Sequence, residues 1–254
     1  MTNQSQHFDK SAPAYPAQIV ANPSLDIVAL RKTYRETGHV RIPSILDSGA
    51  REMFVWFEQC HDWIQLIKRP DGVTEIDYSD WLAMPSKRRR KIEAAMYDNA
   101  VDGFEYCYAA MRVPQDMARE RRYDPLDTFA EFMGSDTTKS LLEAITGTPS
   151  PRFEDGQATA YGTGDFLTGH DDALHGRNRT TACVFGLTPQ WRLEWGGLLL
   201  FHDIGSINAI GLVPQFNTLD LFAVPRYHSV SQITRAAPRR RYAITGWLAP
   251  GVTE

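Results

Sequence analysis

Three residues lying far apart in the chain are of types that suit a metal ion. The stretch "GHDDALHG", residues 169–176, holds His170 and Asp172 two positions apart, and His228 comes after the apolar run "LDLFAV". On an extended strand, alternate residues face the same side, so a strand through this stretch points His170 and Asp172 together and Asp171 away. Two imidazoles and one carboxylate on one face of an ion leave the opposite face open. That is the donor set of an Fe(II) site that must also take O2 and a cosubstrate. The bland alternative is a pair of polar histidines at strand ends. His7-Phe8-Asp9 shows the same spacing in a segment with no strand character.

A fourth element lies C-terminal to His228. In "RRRYAITGWL", strand alternation places Arg241, Ala243 and Thr245 on one face and Tyr242, Ile244 and Gly246 on the other. A guanidinium grips a carboxylate through two parallel hydrogen bonds and stays charged when buried. A cosubstrate that chelates iron at one end and carries a carboxylate at the other needs such a residue. The competing reading makes Arg239–Arg241 a solvated turn; strand register favours Arg241 over Arg240 as the clamp. "GTG" at Gly162–Gly164 reads as a turn rather than a dinucleotide fingerprint, since no helix comes after it. His175 reads as a solvated loop residue. His202 and Asp203 are adjacent, so a strand would turn them to opposite sides.

These residues need a scaffold. "SLDIVALRKTYRETG" reads as a helix capped at Ser24 and stopped at Gly38, and "HVRIP" as a short strand. "DSGAREMFVWFEQCHDW" reads as a second helix, and "WIQLIKRPDGVTEIDY" as a hairpin about Arg69-Pro70-Asp71-Gly72. A helical zone is expected from Ser86 to Gly147. From Arg152 onward, "QATAYG", "TTACVFGLT", "GGLLLFH", "NTLDLFAVP", "SVSQIT" and "RYAITGWLA" have the look of short antiparallel strands in a sandwich or barrel. The expected layout is an N-terminal flexible arm (1–22) and one domain (23–254), with helical support at 24–150 and a β-core at 151–250.

Taken together, His170-x-Asp172, His228 and Arg241 in "RYAITGW" resemble the 2-oxoglutarate- and Fe(II)-dependent dioxygenases. The likeness is strongest to the prolyl hydroxylase branch. "GHDDALHGRNRTTACVFGLTPQW", "WGGLLLF", "YHSVSQI" and "RYAITGW" are similar to the catalytic domain of the ribosomal-protein prolyl hydroxylases, over Tyr161 to Ala249. The resemblance implies an α+β fold with a mainly β core, a cupin-like double-stranded β-helix (jelly roll) with N-terminal helices packed on it. It implies Fe(II) held by His170, Asp172 and His228, with 2-oxoglutarate, O2 and, as reductant, ascorbate. Arg241 would hold the distal carboxylate of 2-oxoglutarate, and Tyr161, Val230 and Trp247 would line its pocket. No catalytic side chain is expected beyond the metal ligands. Gly186 stands where many of these hydroxylases carry a tyrosine; Thr245 is the nearest substitute hydroxyl. Asp172 favours hydroxylation, since related halogenases lack that carboxylate. The implied substrate is a prolyl residue of a protein, a ribosomal one included. Alternatives are a free amino acid or small metabolite, a non-catalytic metal- or carboxylate-binding jelly roll, and a His-Asp phosphohydrolase, which the strand-rich setting opposes.

Bulk properties agree with this. The 254 residues carry a formal net charge of −4, with 43% hydrophobic and 23% charged residues, so nothing points to nucleic acid or an anionic membrane. Three cysteines without metal-type spacing suggest a reducing compartment. With no signal-peptide core near the start, the expected location is the cytoplasm. The basic run Lys87–Lys91 reads as a solvated helix face, with an acidic or RNA-bound docking partner as the alternative.

Overall fold

A computed structural model describes residues 18–251 apart from Tyr123 and Ser206. In its first half, β1 (Val20–Ala21), α1 (Ile27–Thr37), β2 (His39–Pro43), β3 (Leu46–Ser48) and α2 (Ala50–Gln59) precede the hairpin β4 (Ile64–Arg69) and β5 (Gly72–Asp77). Helices α3 (Tyr78–Ala83) and α4 (Ser86–Ala100), strand β6 (Tyr106–Arg112), and helices α5 (Met117–Glu120), α6 (Pro125–Gly134) and α7 (Asp136–Thr146) come next. The second half is strand-rich: β7 (Arg152–Tyr161), β8 (Phe166–His170), β9 (Thr181–Gly186), β10 (Leu199–Phe201), β11 (Ile210–Leu212), β12 (Thr218–Ala223), β13 (His228–Val230) and β14 (Arg241–Ala249).

The termini of α1 show local chemistry at work. Gly38 stops the helix in the left-handed conformation at φ 66°, as its lack of a Cβ permits. The N-cap is Asp26, whose carboxylate accepts from the Ala29 N–H at 3.0 Å, two residues beyond the expected Ser24. The expected arm also ends earlier than residue 22, because Val20 and Ala21 pair with Leu46–Ser48 of β3. The rest of that arm, residues 1–17, and with it His7 to Asp9, lies outside the described residues.

One larger expectation is corrected. The zone from Ser86 to Gly147 is not helical throughout: β6 runs through it and pairs with β4, β7 and β8. Strands β2, β4, β5 and β6 belong to the same 12-stranded sheet as the C-terminal strands, so the split into helical support and β-core fails. The segment "YCYAAMR" alternates Tyr106, Tyr108, Ala110 and Arg112 against Cys107, Ala109 and Met111. All of Cys107–Met111 is buried, and a short apolar run buried on both faces cannot be told from a buried helix segment by periodicity.

Alternation gives this sheet two faces. Tyr242, Ile244 and Leu248 of β14 join Phe185 of β9, Leu221 of β12 and Ile42 of β2 in one buried core. Side chains of α1, α2, α6 and α7 complete it, among them Tyr34, Phe54, Phe57, Phe129 and Leu142. The opposite face curls around a cavity. Strands β8, β13 and β10 cross over it, and Leu199 and Phe201 of β10 pack with Ala182 of β9 and Phe222 of β12. This is a double-stranded β-helix with helices on its outer face. No helix among the described residues is long and apolar enough to cross a membrane. The Lys87–Lys91 run opens α4, where, among the described residues, only Arg89 has an acidic partner, Glu93 at 3.7 Å; its four neighbours in the run are exposed.

The helix-side core predicts a large response to truncation. The Phe57 ring is 0% exposed and lies 5.5 Å from the Trp63 ring and 5.9 Å from that of Tyr242. Phe57→Ala should lower the unfolding free energy by about 3–5 kcal/mol, read from the urea midpoint at unchanged slope.

Candidate metal centre

His170 ends β8 and His228 begins β13, and the two residues are register partners across those strands. Pairing therefore brings their rings to 4.2 Å between centroids. Asp172 arrives differently from the expectation. It lies beyond the end of β8 with φ 63°, so the chain reverses after His170 and does not continue as a strand. The convergence read from the spacing is present, but a turn produces it. The left-handed backbone at Asp172 is unusual for a residue with a side chain. The Arg179 guanidinium (Nη1) donates to the Asp172 carbonyl at 3.4 Å and helps to hold the turn.

The three side chains meet at one point. Asp172 Oδ1 lies 3.2 Å from His170 Nε2, and Oδ2 lies 3.4 Å from His228 Nε2. One ligand atom from each falls within 4.8 Å of the others. Each ring is oriented from behind: His170 Nδ1 donates to the Thr168 carbonyl at 3.1 Å and His228 Nδ1 to the Arg226 carbonyl at 2.8 Å. Those bonds engage both Nδ1 atoms and turn both Nε2 atoms toward the carboxylate. Burial, aided by the nearby His170, pushes the His228 imidazole down to about 4, so at neutral pH it is uncharged and able to ligate. Burial alone would raise the Asp172 carboxyl, but the hydrogen bond from His170 and the neighbouring imidazoles hold it below the ordinary carboxylate range. Two imidazole nitrogens and an ionised carboxylate form a donor set that fits a divalent first-row metal.

This trio opens into a cavity of about 570 Å³ between the two halves of the roll. Arg241, Tyr161, Thr245, Val230 and Trp247 all line it, as does each of the three candidate ligands. Arg241 is 5% exposed, and no carboxylate pairs with it among the described residues. Its guanidinium carbon stands 5.2 Å from the centre of the Tyr161 ring. Arg240 instead lies over the Tyr78 ring at 3.6 Å, outside this cavity. His175 is exposed, and His202 Nε2 bonds the Ser229 hydroxyl at 3.0 Å.

The reading of Gly186 is corrected. It does not line the cavity, and a Cβ built there would stand 2.3 Å from the Gln215 carbonyl oxygen. The glycine is demanded by close backbone approach, so no aromatic side chain can project from this position. Other cavity residues escaped the sequence reading. Tyr106 and Tyr108 come from the unexpected β6, and Gln157 comes from the next strand. Arg179 stacks over the Trp247 ring at 3.6 Å and pairs with Asp155 at 2.8 Å. Its position seven residues after Asp172 carries no periodic signal. Arg179 Nε is buried without a hydrogen-bond partner among the described residues, while the buried Trp247 indole is among the groups that hold the Asp172 carboxyl in its charged form.

Residues 156–249 match the model of the 2OG-Fe(II) oxygenase superfamily. The matched segment runs from β7 to the end of β14 and contains the three candidate ligands and Arg241. No curated protein sequence matches the chain. Among solved structures, it is similar to a prolyl hydroxylase from Trichoplax adhaerens in complex with a hypoxia inducible factor peptide fragment. The two share 16% identity at a TM-score of 0.58 over 88% of each chain. A Pseudomonas putida prolyl-4-hydroxylase matches at 15% identity and TM-score 0.50, over 89% of this chain and 100% of that one. The alpha-ketoglutarate-dependent epimerase SnoN of nogalamycin biosynthesis matches at 13% and 0.52, over 88% and 83%. At such identities the structural likeness concerns the fold, which these 2OG-Fe(II) oxygenases share while differing in reaction.

Two measurements test the site. Losing a residue behind a metal ligand typically weakens binding about 10–100-fold. Asp172→Ala removes a candidate ligand itself and should weaken Fe(II) or Mn(II) binding by at least ~100-fold, measured by anaerobic calorimetry. Gly186→Ala should lower stability by about 1–3 kcal/mol through overpacking, seen as a reduced thermal midpoint.

Proposed function

We propose that this protein is an Fe(II)- and 2-oxoglutarate-dependent dioxygenase that hydroxylates a C–H bond, with a prolyl residue of a protein as substrate. A single arrangement carries this reading: one cavity holds two imidazole nitrogens and a carboxylate converging at one place and a buried guanidinium without a carboxylate partner at another. In it, residues 23–254 act as one catalytic unit.

His170, Asp172 and His228 hold the iron. Arg241, which keeps its charge when buried, grips the distal carboxylate of 2-oxoglutarate through its planar fork. Tyr161, Thr245, Val230 and Trp247 give the cosubstrate its walls. Iron, 2-oxoglutarate and O2 together supply the oxygen insertion, with succinate and CO2 as by-products and ascorbate as the reductant that maintains the metal. No side chain has to act as general acid or base, so the protein's part is to bind, orient and exclude water. The choice of a peptide substrate draws on the fold shared with the prolyl hydroxylase that is bound to a hypoxia inducible factor peptide fragment.

Anaerobic addition of Fe(II) and 2-oxoglutarate should produce a weak visible charge-transfer band, and O2 should then yield succinate, faster with a proline-containing peptide. Arg241→Ala should raise the 2-oxoglutarate requirement at least ~10-fold while sparing metal binding. Stimulation by free amino acids but not by peptides would move the substrate to a small metabolite. A chain that binds metal and forms no band and no succinate would be a binding module.

A further inference from the structure

The cavity contains a phenol that the cosubstrate reading leaves without a task. In the register, Arg112, Gln157 and Thr245 stand abreast on β6, β7 and β14. Ala110, Thr159, Ala243 and Gly186 form the next rank on the same face. Tyr161 and Arg241 pair in the rank after that. Tyr108 takes its place beside Tyr161, the two rings stacked at 4.8 Å between centroids. The middle rank carries only small side chains, so the Tyr108 ring reaches across it. Gln157 Nε2 then donates to the Tyr108 hydroxyl oxygen at 3.2 Å.

A phenol has one proton to donate and lone pairs to accept with. The Gln157 bond engages a lone pair and leaves the proton unused. That proton has no acceptor among the described residues, although Tyr108 is only 6% exposed. Burial raises the hydroxyl well above its ordinary range, so it stays a donor at any working pH. An O–H buried in a cavity wall with no protein acceptor is arranged for a ligand's oxygen. The neighbouring geometry says which ligand. Tyr108, Tyr161 and Arg241 lie side by side across three adjacent strands, with Arg241 the group suited to a carboxylate.

We infer that Tyr108 is a cosubstrate-binding residue: its O–H donates to a carboxylate oxygen of 2-oxoglutarate, supplying from β6 the hydroxyl for which Gly186 on β9 has no room. The assignment rests on the proposed 2-oxoglutarate dependence. Gln157 is the positioning residue, because its N–H fixes the direction in which the phenol proton points.

The test is an anaerobic titration of the Fe(II)-loaded full chain with 2-oxoglutarate, monitored by the charge-transfer band, in the wild type and in Tyr108→Phe. The substitution keeps the stacked ring and removes only the hydroxyl. The loss of one hydrogen bond to a charged group should weaken 2-oxoglutarate binding about 10- to 100-fold. Metal affinity and the thermal midpoint without 2-oxoglutarate should stay at wild-type values, which separates a lost contact from a damaged fold. Equal 2-oxoglutarate affinity in the two proteins overturns the role of Tyr108. Failure of the wild type itself to form the band overturns the cosubstrate reading, and this assignment falls with it.

Discussion

A carboxylate taken out of water needs positive charge or hydrogen-bond donors around it, or it gives up its own charge. The Asp172 side chain is 7% exposed, and the Nε2 edges of two imidazoles surround it. The His228 imidazole, pushed down to about 4 by burial, is uncharged at neutral pH and is not a fixed cation. The arrangement is thus electrostatically incomplete in a way that a divalent ion completes. Other features serve this requirement: the left-handed turn at Asp172, the guanidinium bracing its carbonyl, and the backbone carbonyls that hold each ring by its far nitrogen.

The fold meets that requirement by dividing every strand between two environments. On β14, the residues beside Arg241 and Thr245 in sequence, Tyr242 and Ile244, enter the helix-covered core, and a shift of one residue would exchange them. The core therefore fixes the register of the cavity. Packing Tyr242 against Phe54, Phe57 and Trp63 also places Arg241. Thr159 lines the cavity from the rank of small residues between Tyr161 and Gln157 on β7, and the larger side chains of Tyr108, Tyr161 and Arg241 enclose it on one side.

Much of the site was legible because metal chemistry constrains residue type and strand alternation constrains facing. Residue chemistry singled out His170, Asp172 and His228, strand alternation singled out Arg241, and the structure gathers the four around one cavity. The features that escaped depended on tertiary context. Asp172 reaches the histidines through a turn, which spacing cannot distinguish from a strand. Gly186 resembles a missing tyrosine until the Gln215 carbonyl is seen against it. Strand β6 is buried on both faces from Cys107 to Met111 and so lacks a period-two signal; it is seven residues long between helices, and its place in the sheet comes from pairing with β4 and β7, distant in sequence. Losing β6 meant losing Tyr106 and Tyr108 from the cavity.

The most direct test of the account is X-ray absorption at the iron edge of the Fe(II)-loaded protein, joined to a crystal map with the metal's anomalous signal. The account predicts one ion at about 2.0–2.2 Å from His170 Nε2, His228 Nε2 and one Asp172 oxygen, with the remaining positions open to small molecules. An ion bound at other residues, or no ordered ion at stoichiometric loading, would contradict it.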